Sequence, residues 1–290
     1  MAIEPKRFDS TTELRRAAEP FLLRNEAHNS FLLGVISEIE EGANSSQRSP
    51  YMAAVFEDAE VVAVAAMVQG SSVALSLCHN PKALAQLASD LRNHQPDTPG
   101  VSSVVPTARQ FASEWSHLAG ENCVLRMSQD LYRLDRIQQP AGVSGVARRA
   151  TERDIELLTN WFLAFAKEAM PWVESTFDVT INNVSARLKR APNVGGVFVW
   201  QDDGQPVSVV AYGSPTPNSL HIGPVFTPPQ YRRRGYAAAC TAAVCEYILD
   251  TGKDFVTLFT DIANRTSSHI YQSIGFESVC GAEMISFAGR

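Results

Sequence analysis

A chain of 290 residues, 45% hydrophobic and 19% charged, has room for two domains and the apolar content of an ordinary soluble globular fold. Its net charge of −6 argues against general binding to nucleic acid or to an acidic membrane surface. No apolar run approaches the roughly 20 residues that span a bilayer.

The first ten residues, MAIEPKRFDS, hold no signal-peptide core. Five cysteines (Cys78, Cys123, Cys240, Cys245, Cys280) form no C-x-x-C pair and read as reduced, apolar side chains. A cytoplasmic protein is expected. The six histidines show no metal spacing, so no metal is expected.

In chain order, Ser10-Thr11-Thr12-Glu13 is a capping-box pattern that predicts a helix, kinked or restarted at Pro20. Phe31, Val35 and Ile39 at helical spacing predict a second helix over 31–41. A loop rich in Ser and Asn covers 42–50. Runs at 51–56, 61–68 and 73–78, split by two turn-like tetrapeptides, predict an antiparallel meander. Pro81 suits the first turn of a helix reaching about His94, with Leu84, Leu87 and Leu91 on one face. A strand over 101–105 follows, then a helix capped by Thr107, then one or two closing strands over 124–137. The segment QQPAGVSG, 138–145, has linker composition.

The second half repeats that order. Thr151 and Asp154 cap a helix whose stripe of Ile155, Leu158, Trp161, Phe162 and Phe165 belongs to a core. A helix over 179–190 and strands over 196–201 and 207–213 follow, the strands joined by Asp202-Asp203-Gly204. Next come a strand over 219–227, a helix over 236–249 stopped by Gly252, a strand over 255–260, a helix over 266–273 and closing strands. The fold class is α/β, with two tandem domains that are each a mostly antiparallel mixed sheet flanked by helices. The expected bounds are 1–139, a linker over 140–145, and 146–290. An unrelated α/β cap is the alternative for the first half.

The stretch VFTPPQYRRRGYAA, starting at Val225, reads as strand, turn and helix. A helix start leaves N–H groups without intrahelical partners and carries the positive end of the helix dipole. It is an anion site. Gly235 lets a bulky anion approach the backbone, and Arg232, Arg233 and Arg234 add forked cationic donors. The ligand this predicts is a pyrophosphate.

The spacing Arg232-x-x-Gly235-x-Ala237 resembles the Q/R-x-x-G-x-G/A signature of the GNAT N-acetyltransferase superfamily. Downstream, Asn264, Tyr271 and Gly275-Phe276 read N-x(6)-Y-x(3)-G-F, similar to the second signature of that family and at its usual distance. The resemblance covers the C-terminal half and implies acetyl-coenzyme A as co-substrate. It implies that Val225, Phe226 and Thr227 pair with the extended pantetheine arm like an added strand, with the N–H of Val225 polarising the thioester carbonyl. Arg232, Arg233, Arg234, Gly235, Tyr236, Ala237 and Ala238 would cradle the pyrophosphate. Asn264 would contact the cofactor arm or cap its helix, and Tyr271 would give its proton to the departing thiolate.

The general base stays open among His221, Glu168, Glu174 and water. Trp172, Phe177 and Glu174 lie where the acceptor-side helices of the family sit. The first half has Cys78-His79-Asn80-Pro81-Lys82 at the loop position and Pro106-Thr107-Ala108-Arg109 at the asparagine position. It is therefore expected to keep the fold and to lack the cofactor site. Tandem architectures of this kind also resemble glycine-conjugating N-acyltransferases and mycothiol synthase.

The expected activity is acetyl transfer to a primary amine of a small molecule or peptide. The competing reading is a non-catalytic acetyl-coenzyme A sensor. A homodimer is left open. A nucleotide phosphate-loop enzyme is excluded by the lack of a G-x-x-x-x-G-K-[ST] pattern.

Overall fold

A computed structural model describes residues 3–42 and 50–287. The loop expected over 42–50 lies almost wholly outside the described residues. The chain forms two compact units. The first comprises 1–131, 260–263 and 278–290; the second comprises 132–259 and 264–277. These bounds differ from a simple cut at 140–145. The first unit takes the C-terminal strand, and the second begins at Tyr132.

In the first unit the order is β1 (Glu4–Arg7), α1 (Thr11–Leu23), α2 (Ser30–Glu40), β2 (Tyr51–Glu57), β3 (Glu60–Met67), β4 (Val73–Leu75), α3 (Pro81–His94), β5 (Gly100–Val104), α4 (Val105–Ala119) and β6 (Cys123–Leu134). Strands β1 to β4 are antiparallel neighbours, and β4 pairs with β5 in parallel. Side chains alternate along the strands, as the pleat demands. Tyr51, Ala53 and Val55 face α3 and α4, while Met52 and Ala54 face α1 and α2.

Two expectations need correction here. Helix α1 runs through Pro20 to Leu23 without a break. Thr107 does not cap α4, whose N-cap is Val104; its hydroxyl is spent on the backbone of Cys78 instead. The one or two closing strands expected over 124–137 are one long strand, β6.

The second unit repeats the layout with β7 (Val146–Arg149), α5 (Ile155–Ala169), α6 (Phe177–Leu188), β8 (Gly196–Asp202), β9 (Gln205–Gly213), β10 (Ser219–Phe226), α7 (Tyr236–Asp250), β11 (Phe255–Asp261) and α8 (Arg265–Ser273). The short first strands β1 and β7 carry no clear period-2 pattern, and the sequence alone does not show them. Strands β7 to β10 are antiparallel, and β10 runs parallel to β11. One face carries α7 and α8 over Phe198, Val210, Tyr212, Leu220 and Ile222. The other carries α5 and α6 over Val197, Val199, Val209 and Ala211.

The hairpins β2–β3 and β8–β9 turn in the same way. Asp58 and Ala59 sit at φ 50° and 67°, Asp203 and Gly204 at φ 46° and 76°. Two successive left-handed residues are what a tight hairpin requires. The final strand, β12 (Glu277–Phe287), replaces the several closing strands expected, and it pairs antiparallel with β5.

Candidate acyl-transfer site

The site is built where β10 loses a neighbour. Its parallel register with β11 runs from Ser219↔Phe255 to Ile222↔Leu258. Its antiparallel register with β9 shifts between Ile222 and Val225, then resumes at Val225↔Val210 and Phe226↔Val209. From Gly223 onward, β10 therefore has a strand partner on one edge only. An extended amide-bearing ligand can pair with such an edge. Val225 is half-buried on the α7 face, and Phe226 is buried beneath α5. The Thr227 hydroxyl meets Ser208 Oγ at 2.8 Å.

Pro228 and Pro229 end the strand, and a short turn leads to Arg232. Arg233 at φ 63° and Gly235 at φ 81° are both left-handed. Alternation of this kind gathers backbone N–H groups into an anion-binding concavity. A Cβ at Gly235 would stand 2.8 Å from Val143 Cγ2, so the position is closed to side chains on steric as well as torsional grounds.

Helix α7 starts directly after Gly235 with no side chain capping it. The first backbone bond into it is Ala239 N–H to Gly235 O, at 3.0 Å. The N–H groups of Tyr236, Ala237 and Ala238 precede that bond. Ala237 and Ala238 are half-buried and small, which leaves the helix end open to a bulky ligand.

The three arginines are all exposed, yet they are not equivalent. Arg232 donates through Nε to Thr227 O at 2.8 Å and through Nη2 to both Glu168 oxygens at 2.9 and 2.8 Å. Its guanidinium also lies 5.7 Å from the Phe226 ring centre. Arg232 thus braces the loop against α5. Glu168 is engaged in that two-toothed pair. Glu174 is exposed.

Tyr236 is buried and donates its hydroxyl to Asp202. That hydrogen bond, followed by one from Ser144, holds the Asp202 carboxyl below its usual range. Val143, Ser144 and Asp202 therefore support the loop. Sequence reasoning gave the first two to a linker and the third to a turn, and no motif marks them.

Asn264 caps α8 by accepting from Ser267 N–H at 3.1 Å, and its side chain is exposed. Tyr271 is buried in the core of α7 and α8, with its ring edge-on to Phe276 at 5.9 Å. Burial, reinforced by Cys245, drives its phenol well above the usual range and keeps it protonated. Gly275, at φ 106°, allows the carbonyl of Arg136 to come within 2.6 Å of where a Cβ would stand.

His221 faces the opposite side of the sheet from Ile222. Its Nδ1 meets Thr257 Oγ1 at 3.1 Å, and its ring lies 5.3 Å from that of Phe259. Burial, then the charge of Arg187, lowers its pKa to about 4, so the imidazole is neutral at physiological pH. Its Nε2 lies 3.9 Å from the point where a Cβ at Gly223 would stand, beside the place where β10 leaves β11. Of the side chains expected as candidate bases, His221 is the one set at the opening of the strand.

The first unit differs at the matching places. At its helix α3, Asn80 accepts from the N–H groups of Lys82 and Ala83 at 3.1 and 3.3 Å, so the helix start is satisfied internally. Between β4 and β5, Ser103 Oγ donates to Leu75 O at 3.0 Å, and Thr107 Oγ1 accepts from Cys78 N–H at 3.0 Å. One side-chain bond thus bridges β4 and β5, and the other ties the segment after β4 to α4.

Residues 155–276 match the family model "Acetyltransferase (GNAT) family". The matched stretch runs from α5 to the residue before β12. A search of curated proteins returned no match. Solved structures resemble the fold over nearly the full length of the chain. A GCN5-related N-acetyltransferase from Sphaerobacter thermophilus aligns with a TM-score of 0.61 at 16% identity, over 98% of this chain and 95% of that one. A tandem GNAT protein from the clavulanic acid biosynthesis pathway aligns at 0.57 and 12% identity, over 99% and 98%. A Drosophila protein aligns at 0.70 and 12% identity, over 99% of each chain. At these identities the likeness is one of fold.

Among the described residues, no group of three or more His, Cys, Asp or Glu could hold a metal ion. No helix among them is long and apolar enough to cross a membrane.

Proposed function

We propose that the chain is an acyl-coenzyme A-dependent N-acyltransferase that moves acetyl from acetyl-coenzyme A to a primary amine of a small molecule or peptide. The second unit carries the reaction. The observation that carries this reading is the parting of β10 from β11 after Ile222, followed at once by an uncapped helix start behind Gly235. One feature takes an extended amide chain, and the other takes a pyrophosphate. The thioester supplies an activated acyl carbon.

The chain's own groups have distinct tasks. Backbone N–H groups of the Gly235 loop and the first turn of α7 hold the phosphates, with Arg233 and Arg234 adding charge. The N–H of Val225 polarises the acyl carbonyl. His221, through Nε2, accepts the proton that the amine loses as the C–N bond forms and the C–S bond breaks. Tyr271 donates a hydrogen bond to the sulfur. A phenol pKa above that of a thiol (about 8.5) means that its proton moves only once the sulfur carries nearly full negative charge.

The capped start of α3 and the stitched β4–β5 pair support a first unit without coenzyme A affinity. The free thiols, with Cys240 and Cys245 fully buried, support a reducing, cytoplasmic setting. The test is acetyl-coenzyme A turnover against a panel of primary amines. Release of free thiol that depends on one class of amine supports the enzyme. Tight acetyl-coenzyme A binding with no turnover on any amine supports a sensor instead.

A further inference from the structure

On the α5–α6 side of the second unit, two half-buried arginines converge beside His221. Arg187 lies in the last turn of α6, and Arg190 lies just beyond it. Lys189, between them, points to solvent. Gly213 ends β9 and is the cross-strand partner of His221. A Cβ at Gly213 would stand 3.1 Å from Arg190 Nη1 and 3.8 Å from Arg187 Nη1. A Cβ at Gly195 would stand 3.1 Å from Arg190 Cδ. The two glycines make the room through which the guanidiniums reach the sheet.

Both arginines have partners within the chain, so they are placed rather than loose. The positive field of Arg187 is felt at the imidazole. Phosphate binding is assigned to another part of the unit, the Gly235 loop, and the mechanism above uses neither arginine.

The geometry points to a carboxylate-recognition site formed by Arg187 and Arg190 over Gly213, so that the acceptor is an amine bearing a carboxylate, of the amino-acid class. Two guanidiniums offer forked N–H donors that match the two oxygens of a carboxylate. His221 Nε2 lies on the same strand pair, next to Gly223, where the thioester edge begins. An anion held over Gly213 therefore brings its own amino group towards the base. It also offsets the charge of Arg187, which makes the imidazole a better proton acceptor. This inference rests on the acyltransferase reading, because it names the substrate class of that site.

The test is calorimetric titration of the full chain with N-acetyl amino acids, which stand for the product, and with their carboxamides. Acetyl-coenzyme A is titrated in parallel. The expected result is that at least one acid binds about tenfold or more tighter than its amide, the scale of a charge-assisted pair. Arg187→Gln and Arg190→Gln should each bring that ratio towards one. Gly213→Ala, which pushes a methyl group against Arg190, should lower it as well. The ring signal of His221 in nuclear magnetic resonance spectra verifies that each variant is folded, and it should shift with the acid but not with the amide. Equal binding of acid and amide, a preference that survives in both Gln variants, or no binding of any acid overturns the proposal. Failure of the acyltransferase reading shows separately, as failure of acetyl-coenzyme A to bind.

Discussion

Tyr271 and His221 stand on opposite faces of one sheet, and burial moves both away from their ordinary titration. Removing the Tyr271 hydroxyl keeps the ring that packs on Phe276. Tyr271→Phe should therefore leave acetyl-coenzyme A affinity intact and lower kcat by about 10²-fold, the usual worth of one donor or acid. Steady-state kinetics beside a binding titration checks this, and unchanged kcat removes Tyr271 from the reaction.

For His221 the sign follows from a folded pKa near 4 against about 6.5 in an unfolded chain. Above pH 6.5 neither state carries the proton. Between 6.5 and 4 the unfolded state takes it first, so stability falls as pH falls, by up to about 3 kcal/mol. Thermal melts from pH 7.5 to 4.5 should show a steeper loss for the wild type than for His221→Gln. Tyr271 was marked in the sequence as a candidate by the motif around it. The convergence of Arg187, Arg190 and Gly213 on His221 was not, because it depends on cross-strand register rather than on spacing.

At the scale of the elements, the loop between β10 and α7 owes its shape to groups on other elements. Arg232 ties it to the end of α5 through Glu168, and Tyr236 ties it to the end of β8 through Asp202. An exposed ion pair contributes at most about 1 kcal/mol to stability. Glu168→Gln should thus barely change the melting temperature, while the loosened loop raises the acetyl-coenzyme A Kd several-fold. An unchanged Kd would show that Arg232 does not shape the site.

The strand–loop–helix order of this element could be read directly, since proline ends a strand and glycine precedes a helix. The splitting of β10 from β11 could not, because nothing local reports where a neighbouring strand departs. Helix α1 shows a local rule overridden. Its Leu14, Ala18 and Leu22 are buried on one stripe, and that packing holds the helix together across Pro20.

Across the whole molecule, the repeat of layout was legible from the two meanders, but the bounds of the units were not. The segment read as a linker supplies Val143 to the core behind the loop, and Tyr132 and Leu134 upstream of it are buried in the same cluster. A fragment starting at Val146 loses all three. It should give no cooperative melt, whereas the full chain should melt cooperatively; a stable, acetyl-coenzyme A-binding 146–290 fragment would contradict the description of the second unit.

The central claim is that one uncapped helix start and one parted strand pair make a single coenzyme A site per chain. Calorimetric titration of acetyl-coenzyme A into the wild type and into Gly235→Glu tests it most directly. A side chain at Gly235 would meet Val143 and place a carboxylate at the proposed phosphate position. The account predicts one site per chain in the wild type and none in the variant, with both proteins folded. Two sites, none in the wild type, or equal binding by the folded variant would contradict it.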